Sequence, residues 1–105
     1  MNSWLVLFLA GLFEISWAIG LKFTNGFSRI IPSILTVAGM IFSFLFLSIA
    51  LKKLPLSVSY AVWTGIGIAG TSILGIMIFD EALTPSKVLF VGMILAGILG
   101  LRLTQ

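Results

Sequence analysis

A single acidic residue, Glu14, stands inside an apolar run that extends from Trp4 to Leu21. If this run is a membrane-spanning helix, its rise of about 1.5 Å per residue places the carboxyl group near the middle of the bilayer. A charged acid there costs about 2.5 to 3.5 kcal/mol on insertion scales, and such residues usually face a cavity and mark a path for an ion or a proton. We therefore predict that Glu14 is a site residue. The alternative is a neutral acid that is hydrogen-bonded to a neighbouring helix.

The chain has neither cysteine nor histidine, and its only acids are Glu14, Asp80 and Glu81. Disulfide bonds, thiol catalysis, zinc sites and imidazole proton shuttles are excluded together, because each depends on one of the two missing residue types. We predict no metal, no cofactor and no enzymatic activity. Any proton chemistry must then fall to the three acids.

Helical spacing places Trp17 beside Glu14, on a face that also carries Ala10 and Ala18. The indole nitrogen is expected to donate a hydrogen bond to the carboxyl group. Tryptophan is also common in the interfacial belt of membrane proteins. Because Trp17 is close to Lys22 in the sequence, an interfacial anchor that faces lipid is the alternative.

A second polar and aromatic stripe lies in the third apolar run. Tyr60, Trp63, Thr64 and Gly67 follow the i, i+3, i+4, i+7 spacing of one helix face. Such a stripe needs something polar to face. Tyr60 alone could belong to the interfacial belt, which is a less natural explanation for Trp63, deeper in the run.

The same run contains Gly65 and Gly67, which are candidates for a hinge. The missing side chains and the freer backbone of glycine allow a helix to bend in mid-span. Close packing by a neighbouring helix is the alternative explanation, and both can hold at once.

Ser43 is the hydroxyl residue near the centre of the second apolar run. We predict that it donates a hydrogen bond to Glu14 across the bundle. The alternative is a bond from the hydroxyl back to the carbonyl group four residues earlier in its own helix.

Composition determines the elements that must position these residues. The chain has 105 residues, of which 60% are hydrophobic and 9% are charged, and its mean hydropathy is +1.26. Since about a quarter of the residues in a soluble domain are charged, a cytosolic globular enzyme is excluded. A spanning helix needs about 20 mostly apolar residues, so we predict four helices, at residues 4–21, 30–51, 56–79 and 86–103. The predicted fold is an all-α integral membrane protein with one domain.

The first apolar run begins close to the start of the chain, as a secretory signal peptide does. Signal peptides carry their basic residues before the apolar stretch, whereas here Lys22 follows the run and Glu14 interrupts it. We expect the run to be the first transmembrane helix.

The basic residues divide equally between the two ends of a four-helix chain. Lys52, Lys53 and Arg102 belong to one end, and Lys22, Arg29 and Lys87 belong to the other. Because an excess of Lys and Arg on one side sets the orientation of a membrane protein, this tie predicts that the chain inserts both ways up. An accidental tie, with one dominant loop, is the alternative.

The fourth run contains a stripe of small residues. Gly92, Ala96 and Gly100 stand at i, i+4 and i+8, which allows a partner helix to approach closely. We predict a dimer contact here, because four short helices alone leave little room for a solute path. The alternative is that small residues are simply frequent in membrane helices.

Several motifs together resemble the small multidrug resistance transporters, which are four-helix proteins that work as antiparallel dimers. The motifs are Glu14-Ile15-Ser16-Trp17-Ala18-Ile19-Gly20-Leu21-Lys22, Gly26-Phe27-Ser28-Arg29 with Pro32, Pro55, and Tyr60-Ala61-Val62-Trp63-Thr64-Gly65-Ile66-Gly67. The resemblance covers the whole chain. The segment from Trp17 to Lys22 is similar to the guanidinium exporter subtype.

The resemblance implies a proton-coupled antiporter that exports guanidinium across the inner (plasma) membrane of a bacterium. Its implied site consists of Glu14, Trp17, Ser43, Tyr60 and Trp63, with a hinge at Gly65 and Gly67. The expected partners are a small cation, protons, membrane lipid and a second copy of the chain in an antiparallel homodimer, and not nucleic acid. An exporter of quaternary ammonium and aromatic cations is the alternative within the family. A non-transporting membrane subunit or channel component is the third possibility, and Glu14 argues against it.

Overall fold

The structure is a computed structural model that describes residues 2–104. Within this range it contains four α-helices: α1 (Ser3–Phe23), α2 (Ile30–Ala50), α3 (Leu56–Phe79) and α4 (Pro85–Leu103). Each is long and apolar enough to cross a membrane, and the protein is an all-α, multi-pass membrane protein. The helix bounds lie within two residues of the spans predicted from the apolar runs.

Capping side chains fix the residues at which α1 and α4 begin. Asn2 Oδ1 accepts a hydrogen bond from the backbone N–H of Trp4 at 2.8 Å. Thr84 Oγ1 accepts one from the backbone N–H of Lys87 at 3.1 Å. Both bonds satisfy donors that the first turn of a helix leaves unpaired. Pro85 occupies the start of α4, where its missing N–H removes no helical hydrogen bond.

A tight reversal joins α1 to α2. Asn25, Gly26 and Phe27 have φ angles of 48°, 70° and 65°, which is left-handed backbone. The carbonyl oxygen of Thr24 accepts a hydrogen bond from the backbone N–H of Ser28 at 3.0 Å and holds the reversal closed. As a result α2 returns antiparallel beside α1.

The first helix lies at the centre of the bundle. It packs against α2 on one side and α3 on the other, while α4 packs mainly on α3. Gly11 faces Ile66 and Ile15 faces Gly70, so α1 and α3 run in the same direction. The central position of α1 gives a residue in its middle access to two other helices.

Buried apolar side chains gather at one end of the bundle, where α1 and α3 begin and α2 ends. They are Val6, Leu7, Ala10, Leu47, Ala50, Val58, Val62 and Trp63. We call this the packed end, and it includes the loop between α2 and α3. The opposite end, which carries the first and third loops, is called the open end.

The charged side chains mark the same two ends. The Arg102 guanidinium lies 4.7 Å from the ring centroid of Trp4, at the packed end. Lys22 and Lys87 both lie beside Glu81, at the open end. Insertion of the chain in both orientations stays a prediction.

Candidate functional site

Glu14 lies near the middle of α1 and is the only acidic residue within the four helices. Its half-buried side chain points towards α3, and the carboxyl group rests against Gly67. A Cβ atom at position 67 would overlap the carboxyl group. The lack of a side chain at Gly67 therefore makes room for the acid between α1 and α3.

One carboxyl oxygen of Glu14, Oε1, is buried and has no hydrogen-bond partner within residues 2–104. A buried acceptor without a partner carries a penalty of about 1 to 3 kcal/mol, and more if it is charged. A proton removes the charge of a carboxylate, and a cation with N–H groups beside it also supplies the missing hydrogen bond. The arrangement therefore suits an acid that binds a proton or a cation.

Ser43 is fully buried and joins two other helices through its hydroxyl group. The hydroxyl donates to the carbonyl oxygen of Ala10 at 2.8 Å and accepts from Trp63 Nε1 at 3.0 Å. The predicted bond from Ser43 to Glu14 is wrong for this structure, because the single hydroxyl proton goes to Ala10. Ala10 precedes Glu14 by one helical turn, so Ser43 is fixed to the helix that carries the acid.

Trp17 follows Glu14 on α1 but packs against α2. Its Cβ atom would lie 3.2 Å from a Cβ added at Gly39, and its ring centroid is 6.2 Å from that of Phe44. The indole Nε1 is buried without a hydrogen-bond partner in the described part of the chain. The predicted bond from this nitrogen to Glu14 is therefore not formed here. The contacts with α2 place the ring against protein, in contrast to the alternative of an anchor that faces lipid.

Four aromatic rings from α1, α2 and α3 form a continuous series, which we call the aromatic wall. It runs from Trp17 to Phe44, Trp63 and Tyr60, and successive centroids are 6.2, 5.8 and 5.5 Å apart. Tyr60 is 55% exposed and Trp63 only 6%, so the outer end of the wall is accessible. Sequence reasoning missed Phe44, because nothing in the pattern separates it from the other phenylalanines of the apolar runs.

Gly65 and Gly67 are both points of close packing. A Cβ atom at Gly65 would overlap Ile98 of α4, as one at Gly67 would overlap Glu14. α3 remains a continuous helix from Leu56 to Phe79 through both positions. The packing alternative thus holds in this structure, and a hinge at these glycines stays a prediction.

The stripe of small residues on α4 is exposed. Gly92, Ala96 and Gly100 all lie on the surface, and Cβ atoms added at Gly92 or Gly100 would meet nothing within 4 Å among residues 2–104. α4 contributes no buried residue among those described. The stripe is free to contact another helix, and the dimer itself stays a prediction.

No group of three or more Asp, Glu, His or Cys side chains lies close enough to hold a metal ion within residues 2–104. The site instead combines one carboxyl group with aromatic faces. A planar cation with several N–H donors suits such a site, because it can form parallel hydrogen bonds with the carboxylate. Its charge is also attracted to the face of a neighbouring ring.

Comparison with known proteins gives consistent matches. Residues 2–94 match the family described as Small Multidrug Resistance protein. A protein of Citrobacter freundii named Guanidinium exporter is 53% identical over 102 residues, which are 97% of each chain. The protein of the same name from Proteus vulgaris is 52% identical over 103 residues, which are 98% of this chain and 99% of that one. The one from Salmonella typhi is 50% identical over 97% of each chain.

Proposed function

Because this chain belongs to the small multidrug resistance family, we propose that it exports guanidinium across the membrane in exchange for protons. Glu14 is the group that binds the two ligands in turn. The observation that carries this proposal is the carboxyl group in the middle of α1, with its buried oxygen unpartnered within residues 2–104. Guanidinium binds the ionised carboxylate, whereas a proton removes its charge, so the two ligands compete for the same group.

The chemistry of guanidinium matches the site. The ion is planar and presents N–H groups in a fork, which forms two parallel hydrogen bonds with a carboxylate. Cation–π attraction to an aromatic face adds about 0.5 to 2 kcal/mol. The aromatic wall supplies such faces, and no basic residue lies within α2 or α3 to repel the ion.

The names of the relatives support guanidinium over the alternative substrates. Three bacterial proteins that match at 50–53% identity over nearly their whole length carry the name Guanidinium exporter. The alternative is an exporter of quaternary ammonium or aromatic cations, which would share the fold and the carboxyl group but would need a wider pocket. The bacterial relatives also support the inner membrane of a bacterium as the location.

We further propose that the working unit is an antiparallel homodimer. The equal numbers of basic residues at the two ends favour insertion in both orientations. The exposed stripe on α4 gives the second copy a surface for close helix packing. In such a pair two Glu14 side chains would meet near the midplane, and the pair would rock between two equivalent states as the ligands exchange.

Purified protein in sealed vesicles tests the proposal. An inward gradient of guanidinium should drive protons out of the vesicles. An imposed outward gradient of protons should drive guanidinium uptake. Tetraphenylphosphonium is the comparison cation. Proton movement with guanidinium and little with tetraphenylphosphonium supports guanidinium export. The opposite preference would favour the aromatic cation exporter, and no proton movement with either cation would exclude both antiport proposals.

A further inference from the structure

The open end of the bundle contains a cavity that approaches Glu14. It has a volume of about 270 Å³ and lies between the second halves of α1 and α3. Ala18 and Thr71 line it, and each stands one helical turn beyond a residue of the central site, namely Glu14 and Gly67. The cavity therefore begins about one helical turn beyond Glu14 along α1.

At the packed end, buried side chains of α1, α2 and α3 pack against one another between the helices. A cation that reaches Glu14 in this conformation would thus come from the open end. We call the cavity on that side the vestibule. Its lining includes the hydroxyl residues Thr71 and Ser72, together with Lys22 and Glu81 at the mouth.

Lys22 is an obstacle for such a route. It lies two turns beyond Glu14 on the same face of α1, because Glu14, Ala18 and Lys22 stand at i, i+4 and i+8. An ammonium group that extends into the vestibule would repel an incoming cation. The structure holds this group at the mouth, because Lys22 Nζ lies 3.7 Å from Glu81 Oε2 and 4.5 Å from the ring centroid of Phe79.

Glu81 is well placed to hold the Lys22 ammonium group at the mouth of the vestibule. Its other oxygen, Oε1, lies 3.6 Å from Lys87 Nζ on α4. The carboxyl group also rests against Gly75 of α3, where an added Cβ atom would overlap it. One carboxylate thus contacts groups from α1, α3 and α4 at the mouth of the vestibule.

We infer that Glu81 is a positioning residue for transport, which holds the Lys22 ammonium group against the vestibule wall so that a cation can pass to Glu14. The inference rests on the proposed cation transport. Without the carboxylate, two lysines at the mouth would be left without their counter-charge, and the local potential would oppose entry of a cation. The effect should therefore fall on the apparent affinity for the cation and not on the turnover of the bound state.

Four chains test this inference: the wild type, Glu81→Gln, Lys22→Gln and the double variant. Guanidinium-driven proton movement is measured in vesicles as a function of guanidinium concentration. In Glu81→Gln we expect KM to rise about threefold, which is the effect expected from the loss of one partly screened unit charge near the entry path. The maximal rate should be nearly unchanged. In the double variant KM should return towards that of the wild type, because the ammonium group that Glu81 restrained is gone.

Asp80→Asn is the matched control, since it removes a neighbouring carboxylate that forms no ion pair within residues 2–104. It should leave KM unchanged. The rise in KM for Glu81→Gln should also shrink in 0.5 M salt, because screening weakens charge effects. A structural role of Glu81 in the loop would not show this salt dependence.

Three results would overturn the inference: an unchanged KM in Glu81→Gln, an equal rise in the wild-type and Lys22→Gln backgrounds, or a loss confined to the maximal rate. Failure of the proposed substrate is distinguishable, because it would appear in the wild type as absent guanidinium transport. In that event tetraphenylphosphonium replaces guanidinium as the transported cation in the same four chains. The same pattern of KM values would support the role of Glu81, and any of the three results above would overturn it.

Discussion

Trp63 Nε1 donates a hydrogen bond of 3.0 Å to the hydroxyl oxygen of Ser43, deep in the packed half of the bundle. This bond joins α3 to α2, two helices that otherwise contact each other little. The Ser43 hydroxyl in turn donates to Ala10 on α1. A single chain of hydrogen bonds therefore fixes the position of the aromatic wall relative to α1, the helix that carries Glu14.

We predict that the effects of Trp63→Phe and Ser43→Ala on stability are coupled. Each change breaks the bond between the two side chains, at a net cost of about 0.5 to 1.5 kcal/mol, so the double variant should lose less stability than the sum of the single losses. Thermal unfolding in detergent measures this. Ser48→Ala is the matched control, because its hydroxyl donates within its own helix, to the carbonyl oxygen of Leu45 at 2.8 Å. Strict additivity would contradict the coupling.

Glu14→Gln should abolish guanidinium-driven proton movement, because the amide keeps the shape of the side chain but cannot exchange a proton. Assembly of the protein should persist, and cross-linking in membranes checks this. Asp80→Asn makes the same type of change outside the helices and should transport at the wild-type rate. Transport by Glu14→Gln at the wild-type rate would refute the mechanism.

Gly67→Ala should displace the Glu14 carboxyl group, which an added Cβ atom would overlap. Since a displacement of about 1 Å can cost about 10²-fold in a positioned site, we expect guanidinium transport to fall at least tenfold. Gly97→Ala on α4 is the control, because no atom of the described residues lies within 4 Å of its added Cβ atom.

A second variant separates this steric effect from the loss of a hinge. Glu14→Asp shortens the acid, so adding it to Gly67→Ala should restore part of the substrate binding, measured by guanidinium titration. A stiffened hinge would not be relieved by a shorter side chain. No recovery in the double variant would therefore favour the hinge explanation.

Trp17→Gly should change substrate choice. Its Cβ atom lies near Gly39 and its ring centroid is 6.2 Å from that of Phe44, so removal of the side chain would open space about one turn from Glu14 on α1. Transport of tetraphenylphosphonium should rise relative to guanidinium, and the ratio of the two rates measures the change. Trp4→Gly, which removes a tryptophan at the packed end, should leave the ratio unchanged. An unchanged ratio in Trp17→Gly would mean that the ring serves stability alone.

Accessibility tags on either end of the chain should label from both sides of the membrane in similar amounts, because the basic residues tie at three against three. Adding two lysines beside Lys52 and Lys53 should shift the population to one orientation. Tags that label from one side only in the unaltered chain would contradict dual insertion and leave at most a parallel pair.

The sequence alone determined the four helices, because a bilayer requires long apolar segments and leaves few other arrangements for so apolar a chain. It also singled out Glu14, since one acid in an apolar run has a high energetic cost and needs an explanation. Helical spacing could group Trp17 with Glu14, and Tyr60 with Trp63. These inferences use one helix at a time.

The tertiary structure decided the relations between helices. It gave Ser43 the carbonyl group of Ala10 in place of Glu14, added Phe44 to the aromatic wall, and placed Glu81 between Lys22 and Lys87. Helices that are apolar on all sides carry no pattern that fixes their rotation about the axis. In lipid they associate through close packing and hydrogen bonds, so which faces meet depends on shapes that only the assembled bundle defines.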